Sequence, residues 1–335
     1  MRPNQKANFI VGVDIGGTNI RAGLVTRDGR ILAEARRPAR AMDGPATTIS
    51  MVAEAIEEAL KKGGASSSEL CGIGMGVPGR HRSRDGVCLF SPNFAGWENV
   101  QIVAPVQDVF GVATFMLNDV KTATLGEHRF GAGKGYDHVV MITLGTGIGC
   151  GVISDGELRL GSGEGFSEAG HMIIEVDGPL CGCGSKGCWE ALAGRDGIVA
   201  QALRIAEKHK DSKLSALAQV GELTPADIFK AAQEGDEAAL EAARQTAFYV
   251  GIGCSNLIQV YNPQVLIIGG GIAQAGPILL DRAREVVKER ARMVPAETCQ
   301  IVPAALGDDA GIIGGAVLVL REMERGASGR MRAEG

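Results

Sequence analysis

Aromatic residues are scarce in this chain: two Trp, three Tyr and nine Phe make up 4% of its 335 residues. That is thin provision for a platform on which single-stranded nucleic acid could stack. An excess of positive charge is also missing. The 34 Lys and Arg are outnumbered by 39 Asp and Glu, for a net charge of −5, which does not favour a duplex-binding surface. No apolar run is long enough to span a bilayer; the longest, Gly311–Leu320, lies between Asp309 and Arg321. The opening residues MRPNQKANFIVGVD lack the charged, apolar, small-residue order of an export signal. These absences lead to the expectation of a soluble, cytoplasmic protein. In a reducing compartment the eight cysteines are not a disulfide framework.

The chain is rich in glycine, with 49 residues gathered in a few loops, as where backbone approaches a ligand closely. Two stretches repeat one another: VGVDIGGTNIRAGLVTRDGRIL at 11–32 and VMITLGTGIGCGVISDGELRL at 140–160. Each reads as strand, Gly/Thr-rich turn, strand, Asp-Gly hairpin and short strand, the hairpins being Asp28-Gly29 and Asp155-Gly156. The repeat points to a duplication with a ligand between the halves. In the first turn, Gly16, Gly17 and Thr18 expose N–H groups and a hydroxyl suited to phosphate oxygens, and Asp14 can hold Mg²⁺ through water. Gly145, Thr146 and Gly147 repeat the device. A single such turn is also a plain hairpin, and neither is a Walker loop or a clean dinucleotide fingerprint.

Between and after the copies, strands and helices alternate. The patterning predicts helices over 47–62, 120–130, 190–209, 236–260, 277–293 and 310–323, and strands over 72–77, 114–117 and 265–268. The residues after Arg325 read as a disordered tail. Asn118-Asp119 ends a strand, where open α/β sheets place ligand groups. Asp119 is suited either to accept a proton from a substrate hydroxyl or simply to cap the following helix. Gly269-Gly-Gly271 after an apolar strand fits a nucleotide's base and ribose, or an ordinary strand-to-helix turn.

The densest chemistry lies at Cys181-Gly-Cys-Gly-Ser-Lys-Gly-Cys-Trp-Glu190, with His171 upstream in the spacing H-x9-C-x-C-x4-C. His171, Cys181, Cys183 and Cys188 are a complete tetrahedral set for a structural zinc, which leaves no open position for water. Glu168 and Glu190 flank the cluster.

Taken in order, Asp14–Thr18, Asn118-Asp119, Leu144–Gly151, Glu168–His171, Cys181–Glu190 and Gly269–Gly271 resemble the ROK family (repressors, open reading frames, kinases). The resemblance runs from about Phe9 to Leu320 and includes Asp308–Gly315 as a C-terminal signature. It implies a duplicated actin-like, ribonuclease-H-like α/β ATPase fold, with two domains around a cleft. Residues 1–117 plus 309–335 would form the smaller domain, and residues 118–308 the larger, zinc-bearing one. It also implies an ATP-dependent kinase acting on the 6-hydroxyl of a hexose, glucose first, with N-acetylglucosamine and N-acetylmannosamine as alternatives. Asp119 would be the general base, and Gly79, Asn93, Asn118, Glu168, His171 and Glu190 would bind the sugar. The loop Pro92–Trp97 resembles the sugar-side loop of the family's glucokinases. Asp14, Gly16, Gly17, Thr18, Gly145, Thr146, Gly147, Gly270 and Gly271 would serve ATP and Mg²⁺, and the assembly would be a homodimer or a dimer of dimers. Lys121 departs from the family pattern, in which small residues or Asn are common. So does Ser167, where Gly is usual. The rival function is a sugar-sensing regulator, which needs a helix-turn-helix ahead of the first strand; with that strand beginning near Phe9, the kinase is expected.

Overall fold

The computed structural model describes residues 1–91, 94–294 and 296–333. The chain divides into two compact units. The first comprises Met1–Gly135, Leu158–Phe166 and the residues from Ala305 onward; the second comprises Tyr136–Glu157 and Ser167–Ala304.

In the first unit, β1 (Phe9–Ile15), β2 (Asn19–Thr26) and β3 (Ile31–Pro38) form an antiparallel meander, followed by helix α1 (Pro45–Gly63) and strand β4 (Leu70–Val77). A small hairpin sheet of β5 (Arg80–Arg82), β6 (Val87–Phe90) and β7 (Glu98–Gln101) precedes α2 (Val103–Phe110), β8 (Thr114–Asn118) and α3 (Asp119–Phe130). The main sheet has the order β3-β2-β1-β4-β8, with β4 parallel to both β1 and β8. Every residue of β4, LCGIGMGV, is buried. That continuous apolar run is what a parallel strand covered on both faces requires. On one face Val52, Ala55, Ile56 and Ala59 of α1 join Val11, Val13, Ile73 and Met75. On the other face Ile312, Ala316 and Val319 pack with Ile10, Val25 and Cys71.

The second unit repeats this order. Strands β9 (Val139–Leu144), β10 (Ile148–Ser154), β11 (Glu157–Leu158), β12 (Val265–Gly269) and β13 (Gln300–Pro303) lie as β11-β10-β9-β12-β13. Again the first pair is antiparallel, and the fourth strand is parallel to the first and fifth. The duplication read from the two turns therefore extends to the whole sheet. The helices are α4 (Trp189–Ala193), α5 (Arg195–Ala206), α6 (Lys213–Val220), α7 (Pro225–Gln233), α8 (Glu237–Tyr261) and α9 (Pro277–Arg290). α8 and α9 pack closely, with Ala242, Ala243, Ala247 and Val250 of α8 fully buried. The last helix, α10 (Ala310–Ala333), returns to the first unit.

Several expectations are corrected. The units divide after Gly135 and at Ala305, not at Leu117 and Asp309, because α3 packs against α10 and β4 of the first sheet. The helix expected over 190–209 is two, α4 and α5, broken where Gly194 adopts an extended ψ of 170°. The last helix runs to Ala333 where a tail was expected, as propagation of a helix already anchored by packing is cheap. Asn93 lies outside the described residues.

Candidate active site and metal cluster

In the first unit, Asp14 stands one residue before the end of β1, directly opposite Arg21 in the antiparallel register. Gly16 N–H donates to the Asn19 carbonyl at 2.9 Å. This closes a turn that leaves Gly17 and Thr18 exposed at its tip, where a phosphate-accepting turn presents its residues to solvent. Burial, then the nearby Asp119 carboxylate, pushes the Asp14 carboxyl up to about 6; Arg21 opposes the shift and Asp308 adds to it. Two carboxylates near one another with little water are the setting in which a divalent cation relieves mutual repulsion.

β8 delivers Asn118 and Asp119 to the start of α3. Asn118 is the cap: its side-chain oxygen accepts from Val120 N at 3.1 Å and Lys121 N at 3.3 Å. Asp119 follows it as the first residue of the helix. It stands in the first helical turn, where the helix dipole favours a carboxylate. Asn118 Nδ2 donates to the Gly79 carbonyl at 3.4 Å, joining base helix and expected sugar loop.

In the second unit, the turn Gly145–Gly147 is closed by Gly145 N–H to the Gly147 carbonyl at 3.0 Å, and Arg195 N–H donates to the Gly145 carbonyl at 3.0 Å. Thr146 stands at its middle. Gly270 has φ 87°, and a side chain there would overlap the Leu144 carbonyl, so glycine is required. Beside these turns is a cavity of about 530 Å³. Its walls include Gly145, Gly271, Pro225, Phe229 and Ile272, with Arg195 and Lys230 as cations. Flat apolar walls with two cations beside a phosphate-type turn suit a nucleotide's base and its charged end.

The same unit holds the cluster of His171, Cys181, Cys183 and Cys188, whose ligand atoms all lie within 4.8 Å of one another. Cys181 Sγ is 3.7 Å from His171 Nδ1, and Cys183 Sγ is 3.7 Å from Cys188 Sγ. Zinc–sulfur bonds of about 2.3 Å make a tetrahedral edge of about 3.8 Å, so the donor set and its spacing fit zinc. Burial pushes the Cys181 thiol up to about 12, while the Ser185 N–H draws Cys183 down; a bound metal ion would deprotonate all three thiols. Glu190 begins α4. Its Oε2 accepts from Ile148 N–H at 2.9 Å and its Oε1 lies 3.8 Å from Cys181 Sγ, so one carboxylate joins the turn to the cluster. Glu168 precedes the short turn that ends at His171, whose N–H donates to the Glu168 carbonyl at 3.1 Å.

The ROK family model matches residues 10–322. The chain belongs to the ROK family. A protein named glucokinase from Thermotoga maritima is 37% identical over 92% of this chain and 96% of its own length. The crystal structure of a ROK family glucokinase from Streptomyces griseus, in complex with glucose and AMPPNP, matches with a TM-score of 0.80 at 32% identity, covering 92% of this chain and 98% of that one. A xylose repressor from Bacillus subtilis is 31% identical over 95% of this chain and 78% of its own length. The paired sheets are accordingly the actin-like ATPase fold of the ROK sugar kinases.

Sequence reasoning missed Phe229, Lys230 and Arg195 as cavity walls, because α7 reaches Gly145 only through the tertiary fold. The helix went unpredicted too, although Thr224 and Asp227, which form a capping box around Pro225, are a start signal that could have found it. Arg21 was also missed. Its guanidinium binds Glu34 at 2.7 and 2.9 Å, Asp309 at 2.7 Å and the Asp308 carbonyl, which ties the start of α10 to β2.

Proposed function

We propose that this chain is an ATP-dependent hexokinase that phosphorylates the 6-hydroxyl of glucose. The observation that carries the reading is Asp119: a carboxylate at the head of α3, next to the Asn118 cap and electrostatically coupled to Asp14. Asp119 takes the proton of the 6-hydroxyl as that oxygen forms its bond to the γ-phosphorus. The bond from phosphorus to the bridging oxygen breaks, and ADP leaves with that electron pair. Positioning of the two substrates supplies most of the remaining rate.

Each unit contributes separately. Gly16, Gly17 and Thr18 offer donors to phosphate oxygens, and so do Gly145, Thr146 and Gly147. The cavity walled by Pro225, Phe229 and Ile272 takes the adenine, with Gly270 and Gly271 leaving room for the ribose. Asp14 would hold Mg²⁺, which when bound would neutralise phosphate charge. Glu168, His171 and Glu190 bind the C1–C2 end of the ring, and Gly79, Asn93 and Asn118 its other hydroxyls. Zinc on Cys181, Cys183, Cys188 and His171 Nδ1 would fix the histidine's tautomer and leave Nε2 for a sugar hydroxyl.

A sugar-responsive regulator is the rival, supported by the repressor relative. The kinase reading is favoured by the higher identity and fuller coverage of the Thermotoga glucokinase. A homodimer or dimer of dimers, in the cytoplasm and without nucleic acid, completes the proposal; light scattering of the purified protein tests the assembly. The deciding experiment is a coupled assay with ATP and Mg²⁺ across glucose, N-acetylglucosamine, N-acetylmannosamine, mannose, allose and fructose, repeated with polyphosphate and ADP as donors. The highest kcat/KM is expected for glucose with ATP. A folded, zinc-loaded protein inert towards every sugar and donor would overturn the reading.

A further inference from the structure

Lys121 finds its explanation in the fold. Its side chain is 3% exposed, an uncommon fate for a lysine unless the ammonium is compensated. Nζ donates to the main-chain carbonyl of Glu164 at 2.5 Å. The Glu164 carboxylate in turn accepts from Ser83 N–H at 2.9 and 3.0 Å and from Ser83 Oγ at 2.6 Å. Glu164 holds a left-handed φ of 57°, a conformation that a non-glycine residue keeps only where its surroundings hold it. Ser83 immediately follows β5, and β5 begins one residue after Gly79. The loop is therefore held at both ends from α3: by Asn118 at Gly79, and by Lys121 through Glu164 at Ser83.

We infer that Lys121 is a positioning residue for sugar binding: acting through Glu164 and Ser83, it holds the Gly79–Arg82 segment in register with Asp119, which stands two residues before it on the same helix. The inference rests on the reading above that this loop receives the sugar. Between the two anchors His81 points inward, 4% exposed, and its Nε2 has no hydrogen-bond partner among the described residues. Burial and the neighbouring Lys121 charge push its imidazole down to about 4, so at neutral pH it adds no second charge beside the ammonium. An apolar side chain of similar length would fill the Lys121 site without the cost of desolvating a cation. What the ammonium adds is direction, since it must meet one particular carbonyl.

The experiment is steady-state kinetics on Lys121→Met, Glu164→Ala and Ser83→Ala, with glucose and ATP varied separately and thermal midpoints measured alongside. KM for glucose should rise about tenfold in Lys121→Met and about three- to fivefold in the other two, with KM for ATP held within about twofold. Glu164→Gln, which keeps an acceptor for Ser83, should recover most of the affinity lost in Glu164→Ala. A merely structural role predicts losses that follow the thermal midpoint and fall equally on both substrates; that pattern, or no change in either KM, overturns the inference. If Lys121→Met does not fold, the Glu164 and Ser83 variants, both at half-buried positions, decide the matter by the same split. A wild-type protein that phosphorylates no sugar removes the functional reading and this inference with it. A working wild-type enzyme with unsplit variants removes the inference alone.

Discussion

The two sheets share a strand order but are covered in different ways. In the first, α10 lies against bare backbone: a Cβ added at Gly12 would overlap the Ile312 carbonyl, and one at Gly74 the Gly315 carbonyl. In the second, β12 presents Val265, Leu266, Ile267 and Ile268, all fully buried, and the cover is made by side chains. The turns differ in the same sense. Asp14 stands two residues before Gly16, opposite Arg21; its counterpart two before Gly145 is Thr143, opposite Gly149. The close approach brings the head of α10 beside Asp14, with Gly311 against its carboxylate, and Arg21 ties that head in place. One copy thus sets charges at close tolerance, while the other holds the cavity walled by Pro225, Phe229 and Ile272.

The sharpest way to break this division is to test where the chemistry resides. Asp119→Asn should lower kcat by about a hundred- to ten-thousand-fold, with circular dichroism and thermal midpoint unchanged. Phe229→Ala, in the cavity of the second unit, should instead raise KM for ATP and leave kcat within a few-fold. Equal losses of kcat in both variants would erase the contrast. The packing contrast comes next. Gly74→Ala pushes a methyl onto a backbone oxygen that cannot swing aside, and should cost about 3 kcal/mol or more in urea unfolding. At Gly269 the added Cβ would sit 3.2 Å from Ala304 Cβ and from the flexible Met141 Cε, so Gly269→Ala should cost about 1 kcal/mol or less. Metal analysis should find one zinc per chain. Cys183→Ser should lower its affinity and raise KM for glucose more than KM for ATP, a shift read by the same two-substrate kinetics.

Short-range features were legible in the sequence because their partners are neighbours. The Asp155-Gly156 hairpin has φ of 54° and 71°, as a two-residue turn between strands demands. His171, Cys181, Cys183 and Cys188, spread over 18 residues, bring their ligand atoms within 4.8 Å of one another. Asn118-Asp119 lies at the end of a strand as expected, but the cap that local sequence offered to Asp119 is made by Asn118. What escaped detection was long-range. The partner of Lys121 is 43 residues away and is a main-chain carbonyl, which no residue pattern announces. Gly12 and Gly74 read as glycines within strands, but the α10 carbonyls that require them lie at the far end of the chain. The wall contributed by Phe229 depends on how α7 packs, and periodicity reports only that α7 has a buried face.

A pH series tests whether Asp14 is held at a cost to stability. Its carboxyl titrates at about 6 in the fold, against 3.8 for the free side chain. The native state therefore binds the proton more tightly than the unfolded chain does, and stability falls as pH rises between these two values. At higher pH the folded protein carries a buried charge beside Asp119 and Asp308, with Arg21 only partly offsetting it. Asp14→Asn removes that charge. It should match the wild type below about pH 4 and exceed it above pH 6, by at most roughly 3 kcal/mol and by less to the extent that solvent screens the site. The corresponding change in the other copy, Thr143→Val, alters no ionisable group and should leave the pH slope intact. Urea midpoints at pH 4.5, 6 and 7.5, without nucleotide or Mg²⁺, measure all three proteins. A wild type whose stability is flat across that range would show that Asp14 is already compensated in the free enzyme. The first copy's carboxylate would then be no more strained than the threonine that replaces it in the second.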